Sequence, residues 1–135
     1  MVVLDTSALV AFLDSGDRWN AEVTAALRPH AGSLVVPAAI LAEISYFIGR
    51  DLGQTALQVF VQDIVTGAYE LDCGQQDWPR VRQLVERYAD LPLGLADAAV
   101  IACAERLNVA VVTLDYRHFG TVAGEGTIRI VSLDS

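Results

Sequence analysis

Two kinds of apolar spacing alternate along this chain. Unbroken blocks at 2–4, 34–36 and 110–114 read as strands covered on both sides, because neither face offers water a polar position. Between them, apolar residues recur every third or fourth position, which gathers them on one side of a helix. The first block closes on an acid, giving a strand over 2–5, and Thr6 or Ser7 can cap a helix through Leu9, Val10, Phe12 and Leu13. Gly16 and Asp17 turn the chain into a second helical segment over 19–27. Pro37 ends the strand at 34–36, and a helix follows over about 38–48. Gly49 and Gly53 flank a break before a helix over about 52–65, which Gly67 ends. A short strand is predicted at 69–71, helices at about 76–88 and 95–107 around a loop holding Pro92 and Gly94, and a last strand at 128–131.

Strands that alternate with helices need crossover connections. The expectation is therefore an α/β fold, a small three-layer sandwich with a central, mainly parallel sheet flanked by helices. Its 135 residues make one domain, 1–135, with enough chain for a core. Covering both faces of a sheet also explains a hydrophobic fraction of 53% and a mean hydropathy of +0.40. No apolar run reaches the roughly 18 residues of a membrane span, and no basic segment precedes an apolar stretch at the start. A cytoplasmic protein without membrane association is expected. Cys73 and Cys103 lack metal-site spacing and read as free thiols, Cys103 as packing.

Charge narrows the chemistry. The net charge is −8, and all nine cations are arginine. Nonspecific nucleic-acid binding through phosphate neutralisation should be weak. Without lysine the chain has no P-loop, and it lacks the lysine that receiver domains and most haloacid-dehalogenase-type phosphatases place beside their aspartates.

Four acids interrupt apolar surroundings. Asp5 and Asp115 each follow an apolar strand, Glu43 lies early in the helix after the second strand, and Asp97 lies in the first turn of its helix. In a parallel sheet these positions share one edge, beyond the carboxyl ends of the strands, where ligands bind. Glu43 shares a helix face with Ile40, Ile44 and Phe47, so its carboxylate is expected to point inward. Each acid also has a plainer reading: Asp5 and Asp97 as helix caps, Asp115 as a turn residue, Glu43 as a surface group. Together they would repel one another unless protonated or neutralised. No arginine neighbours three of them in sequence. Hard oxygen donors select magnesium or manganese, and such ions activate water and stabilise an in-line displacement at phosphorus.

Asp5-Thr6-Ser7-Ala8-Leu9 after a first strand, Glu43 in a mid-chain helix, the run from Leu95 to Ala102 containing Asp97, and Thr113-Leu114-Asp115 with Phe119 beyond resemble the PIN-domain family. Size and order are similar to VapC-type toxins of type II toxin–antitoxin modules. The resemblance implies a PIN-like sandwich and a Mg2+- or Mn2+-dependent endoribonuclease, neutralised by a VapB-type antitoxin and usually a homodimer. It implies Asp5, Glu43, Asp97 and Asp115 as metal ligands and water activators, with Thr6, Ser7 and Thr113 in support. Many relatives carry a further acid three residues after the position of Asp115, where this chain has His118. Arg117 and His118 read as a surface pair, or as contacts to the phosphate of the substrate. Two alternatives stand beside the ribonuclease: a catalytically degenerate PIN-like binding module, and a metal-dependent phosphohydrolase acting on small nucleotides.

Overall fold

A computed structural model describes residues 1–133. Four strands, β1 (Val2–Leu4), β2 (Leu34–Pro37), β3 (Tyr69–Asp72) and β4 (Ala110–Val112), form a sheet in the order β3-β2-β1-β4. Every pairing among them is parallel, with Val2 opposite both Leu34 and Ala110. All residues of β1 and β2 are buried, as expected of central parallel strands covered on both faces.

Seven α-helices flank the sheet in the described residues: α1 (Thr6–Leu13), α2 (Asn20–Leu27), α3 (Leu41–Phe47), α4 (Gln54–Val65), α5 (Trp78–Arg87), α6 (Leu95–Leu107) and α7 (His118–Gly124). The most deeply buried helix is α6, which packs across β1, β2 and β4 through Ala98, Val100, Ile101 and Cys103. Four of the six buried residues of α6 are small, three alanines and Cys103, which lets the helix backbone approach the strands. Arg106 near its end is held by Asp77 at 2.8 Å and Asp72 at 2.6 Å, which ties α6 to the end of β3.

Four local readings differ from expectation. The expected break at Gly49 does not occur: the chain passes from a 3-10 turn (Ala38–Ile40) through α3 into wider turns (Ile48–Leu52), and stays helical until Gly53 at φ 92°. Only the second glycine adopts a backbone that other residues resist. Strand β4 ends at Val112 rather than Leu114, because the backbone amides of Leu114 and Asp115 go to the Ser7 and Thr113 hydroxyls instead of a neighbouring strand. Residues 128–131 add no strand: Ile130 makes one isolated parallel bridge to Val111. Finally, the cap of α1 is Asp5, whose carboxylate accepts from the Ala8 amide, and not Thr6 or Ser7.

Candidate metal centre

Beyond the carboxyl ends of β1 and β4, hydrogen bonds tie the two strand ends into one unit. Asp5 is 3% exposed and accepts from three protein donors: the Ala8 amide at 2.9 Å, the Ser7 hydroxyl at 2.8 and 2.9 Å, and the Thr113 hydroxyl at 2.5 Å. Each hydroxyl in turn accepts a backbone amide of the loop after β4, Leu114 N–H on Ser7 and Asp115 N–H on Thr113, both at 2.9 Å. The loop that presents Asp115 is therefore fastened through two hydroxyls to the buried carboxylate of β1. Burial pushes the Asp5 carboxyl up to about 6; the hydrogen bonds from Thr113, Ala8 and Ser7 oppose this, and Asp97 adds to it.

Asp97 stands at the third position of α6, after Gly94 as the cap residue, and its side chain caps nothing. It is half-buried, and its carboxyl is raised first by burial and then by the charges of Asp115 and Glu43, against the opposing effect of His118. Asp115 accepts the His118 amide at 3.0 Å, and both its oxygens face His118 Nδ1, at 2.9 and 3.1 Å. One donor atom each from Asp97, Asp115 and His118 lies within 4.8 Å of the others. Such a set of carboxylate oxygens and an imidazole nitrogen matches the donors of a divalent cation.

Two of the four expected acids stay outside this group: Asp5, which interacts with Asp97 through charge without its oxygens joining the set, and Glu43. Glu43 is exposed, not turned inward. Ile40, Ile44 and Ile48 form the buried stripe at four-residue spacing, and Glu43 falls about 100° round the helix from Ile44. Its charge still reaches Asp97. Ser7 and Thr113 both support Asp5, whereas Thr6 makes no side-chain hydrogen bond within the described residues. Arg117 is exposed and donates to the Leu91 carbonyl at 3.2 Å, away from the acids. His118 sits on Asp115 and is not the surface pair with Arg117 that was one reading of it. The resemblance held the signal, since many relatives carry a further acid at this position.

Arginine is absent from the cluster. Among the described residues, the guanidinium ion pairs go to Asp51, Asp72, Asp77, Glu105 and Glu125. Negative charge gathers here without the neutralisation that the same chain supplies elsewhere, and the donor chemistry fits a metal.

The PIN domain family model matches residues 2–125. Ribonuclease VapC26 of Mycobacterium tuberculosis is 32% identical over 134 residues, covering 96% of this chain and 99% of the relative. The chain belongs to the PIN-domain family. Within it, this PIN domain is a homologue of a VapC ribonuclease. A solved structure of Mycobacterium tuberculosis VapC20, described as a Sarcin-Ricin loop cleaving toxin, superposes with a TM-score of 0.79 at 13% identity, over 98% of this chain and 100% of that one. FitAcB from Neisseria gonorrhoeae superposes with a TM-score of 0.65 at 17% identity, over 98% and 97%. At such identities the two structures speak for the fold alone.

The hydroxyl network gives this PIN domain a first test. Thr113→Val keeps the shape of the fully buried side chain but removes a donor to Asp5 and an acceptor for the Asp115 amide. RNA cleavage should fall about 10- to 100-fold, with a stability loss of about 1–2 kcal/mol, read by cleavage rate and urea unfolding. Unchanged cleavage would mean the network does not position the acids.

Proposed function

We propose that this PIN domain is a Mg2+- or Mn2+-dependent endoribonuclease, the toxin of a type II toxin–antitoxin pair, cutting structured RNA in the cytoplasm. Asp97 and Asp115 would hold the cation, with Asp5 and Glu43 completing the acidic set. The observation that supports this reading is a carboxylate cluster at the sheet edge that no arginine of the described residues neutralises. When bound, the cation supplies Lewis-acid stabilisation of charge at phosphorus and acidifies water for attack.

The residues themselves set the order of events. With its carboxylates ionised, the cluster repels an RNA phosphate, so substrate approaches only after the charge has been offset. Three donors hold the Asp5 carboxylate in one orientation, so little ordering remains when it engages a ligand. In the metal-free protein the Asp5 carboxyl stands at about 6, so protons compete with the cation for the site and cation binding weakens as the pH falls below that value. Arg117 follows the site in sequence and is exposed, and it would have to exchange its bond to the Leu91 carbonyl for a neighbouring phosphate of the RNA.

Its partners would be a VapB-type antitoxin and a second copy of the chain in a homodimer. Tyr46 on α3 and Val59, Val61 and Val65 on α4 are apolar and exposed, surface that the isolated fold leaves to water and that a partner would cover. No helix among the described residues is long and apolar enough to cross a membrane.

A cleavage assay on tag-free protein tests the reading. Internal cuts in a fluorescent stem-loop RNA should require millimolar Mg2+ or Mn2+ and stop with chelator. The same ions without RNA should raise the melting temperature by a few degrees at pH 7.5, because they bind the native state only. Chelator-resistant cleavage, or hydrolysis restricted to mononucleotides, would reject the proposal.

A further inference from the structure

We propose that His118 is a nitrogen ligand of the cation at this site, and that it biases the site toward manganese over magnesium. This rests on the metal-dependent reading above but is separable from it.

Placement comes first. A ring nitrogen of His118 lies within 4.8 Å of the oxygens that Asp97 and Asp115 offer. The ring is not a free surface arm. It is half-buried, Nδ1 sits 2.9 and 3.1 Å from the two oxygens of Asp115, and the backbone amide of the same residue holds that carboxylate at 3.0 Å. The buried ring of Phe119 anchors the next residue in the core. Rotamer freedom that a surface histidine would lose on binding is therefore already restricted. Nδ1, which already faces both Asp115 oxygens, is the ring nitrogen that can share a cation with that carboxylate, since Nε2 points away from it. Binding the cation therefore replaces the Nδ1 contact to Asp115 with a bond from each group to the metal.

Chemistry then sets the preference. Magnesium binds mainly through charge, prefers oxygen and gives up water reluctantly. An imidazole at this position contributes no negative charge, which weakens a purely electrostatic site. Manganese accepts nitrogen more readily, so it loses less. The chain's other histidine cannot be mistaken for this one, since His30 faces the amino terminus of Met1 at 3.3 Å.

Electron spin-echo envelope spectroscopy of Mn2+ bound to tag-free protein reads the ligand directly. Wild type should show the nitrogen modulation of a coordinated imidazole, and His118→Asp should abolish it. Competition between the two ions, as chloride salts, should show the ratio of Mg2+ to Mn2+ dissociation constants falling about tenfold in His118→Asp. If that variant does not fold, His118→Gln serves in its place, with circular dichroism checking the fold. Bound Mn2+ without nitrogen modulation, and a ratio unchanged by substitution, overturns the proposal and leaves a carboxylate metal site standing. Failure of Mn2+ to bind wild type any better than Asp97→Asn overturns both.

Discussion

Asp5→Asn will lower RNA cleavage by at least about 100-fold and, in metal-free protein at pH 7.5, will raise stability by about 2–3 kcal/mol. The two effects have one cause. The Asp5 carboxyl is raised from 3.8 to about 6 because burial disfavours its charged form more than its donors favour it. The native state thus holds the proton more tightly than the unfolded chain. The contribution of Asp5 to the stability of the metal-free protein falls as pH rises from about 4 to about 6, and stays at the lower level above. Asparagine removes that charge yet keeps an oxygen for the Ala8 amide, so the helix cap survives. The Thr113 hydroxyl can rotate to accept from the new amide. Urea unfolding in chelator at pH 5 and 7.5 should show the variant's advantage at the higher pH, with far less at the lower. A variant less stable than wild type at pH 7.5 would sink the argument that burial of charge, held for a cation, strains this site.

Phe119→Ala will cost about 3–5 kcal/mol of folding stability, the largest effect expected outside the acids. Phe119 is fully buried and belongs to the first turn of α7, directly after His118. Its amide bonds the Asp115 carbonyl at 3.2 Å, so the ring anchors the segment that presents both Asp115 and His118. Removing the ring leaves a cavity beneath the metal-binding edge, and cation affinity should fall with stability. Phe119→Leu fills most of that volume and should lose no more than about 1.5 kcal/mol. Urea midpoints and Mn2+ titrations on both variants check this, and equal losses from alanine and leucine would exclude a packing cause.

Much of the architecture was legible without coordinates. Short apolar blocks separated by helical periodicity specify parallel strands with crossovers, and that is how Val2–Leu4, Leu34–Pro37 and Ala110–Val112 pair. The segment at 128–131 misled because alternation of Ile128, Arg129 and Ile130 fits a strand, yet pairing needs a free sheet edge in register, and the chain meets Val111 at a single bridge. The run from 38 to 52 misled because a single glycine is tolerated inside a helix when neighbouring side chains are packed, as Ile44 and Ile48 are. Asp5 proved to be both the helix cap that the plainer reading offered and a member of the acidic edge.

By itself, then, the sequence determined where negative charge accumulates: Asp5, Asp97 and Asp115 sit next to apolar runs whose strand and helix periods place them at one edge, and without lysine a P-loop, a receiver site and most haloacid-dehalogenase-type sites cannot be built in their usual form. Local periodicity reports on local geometry and burial, so it reaches that far. Tertiary structure alone decided that Thr113 and Ser7 meet on Asp5 across more than 100 positions, that Glu43 faces outward, and that His118 joins Asp97 and Asp115. Those outcomes depend on how distant elements pack and which rotamers the packing allows, and no spacing along a single chain encodes either.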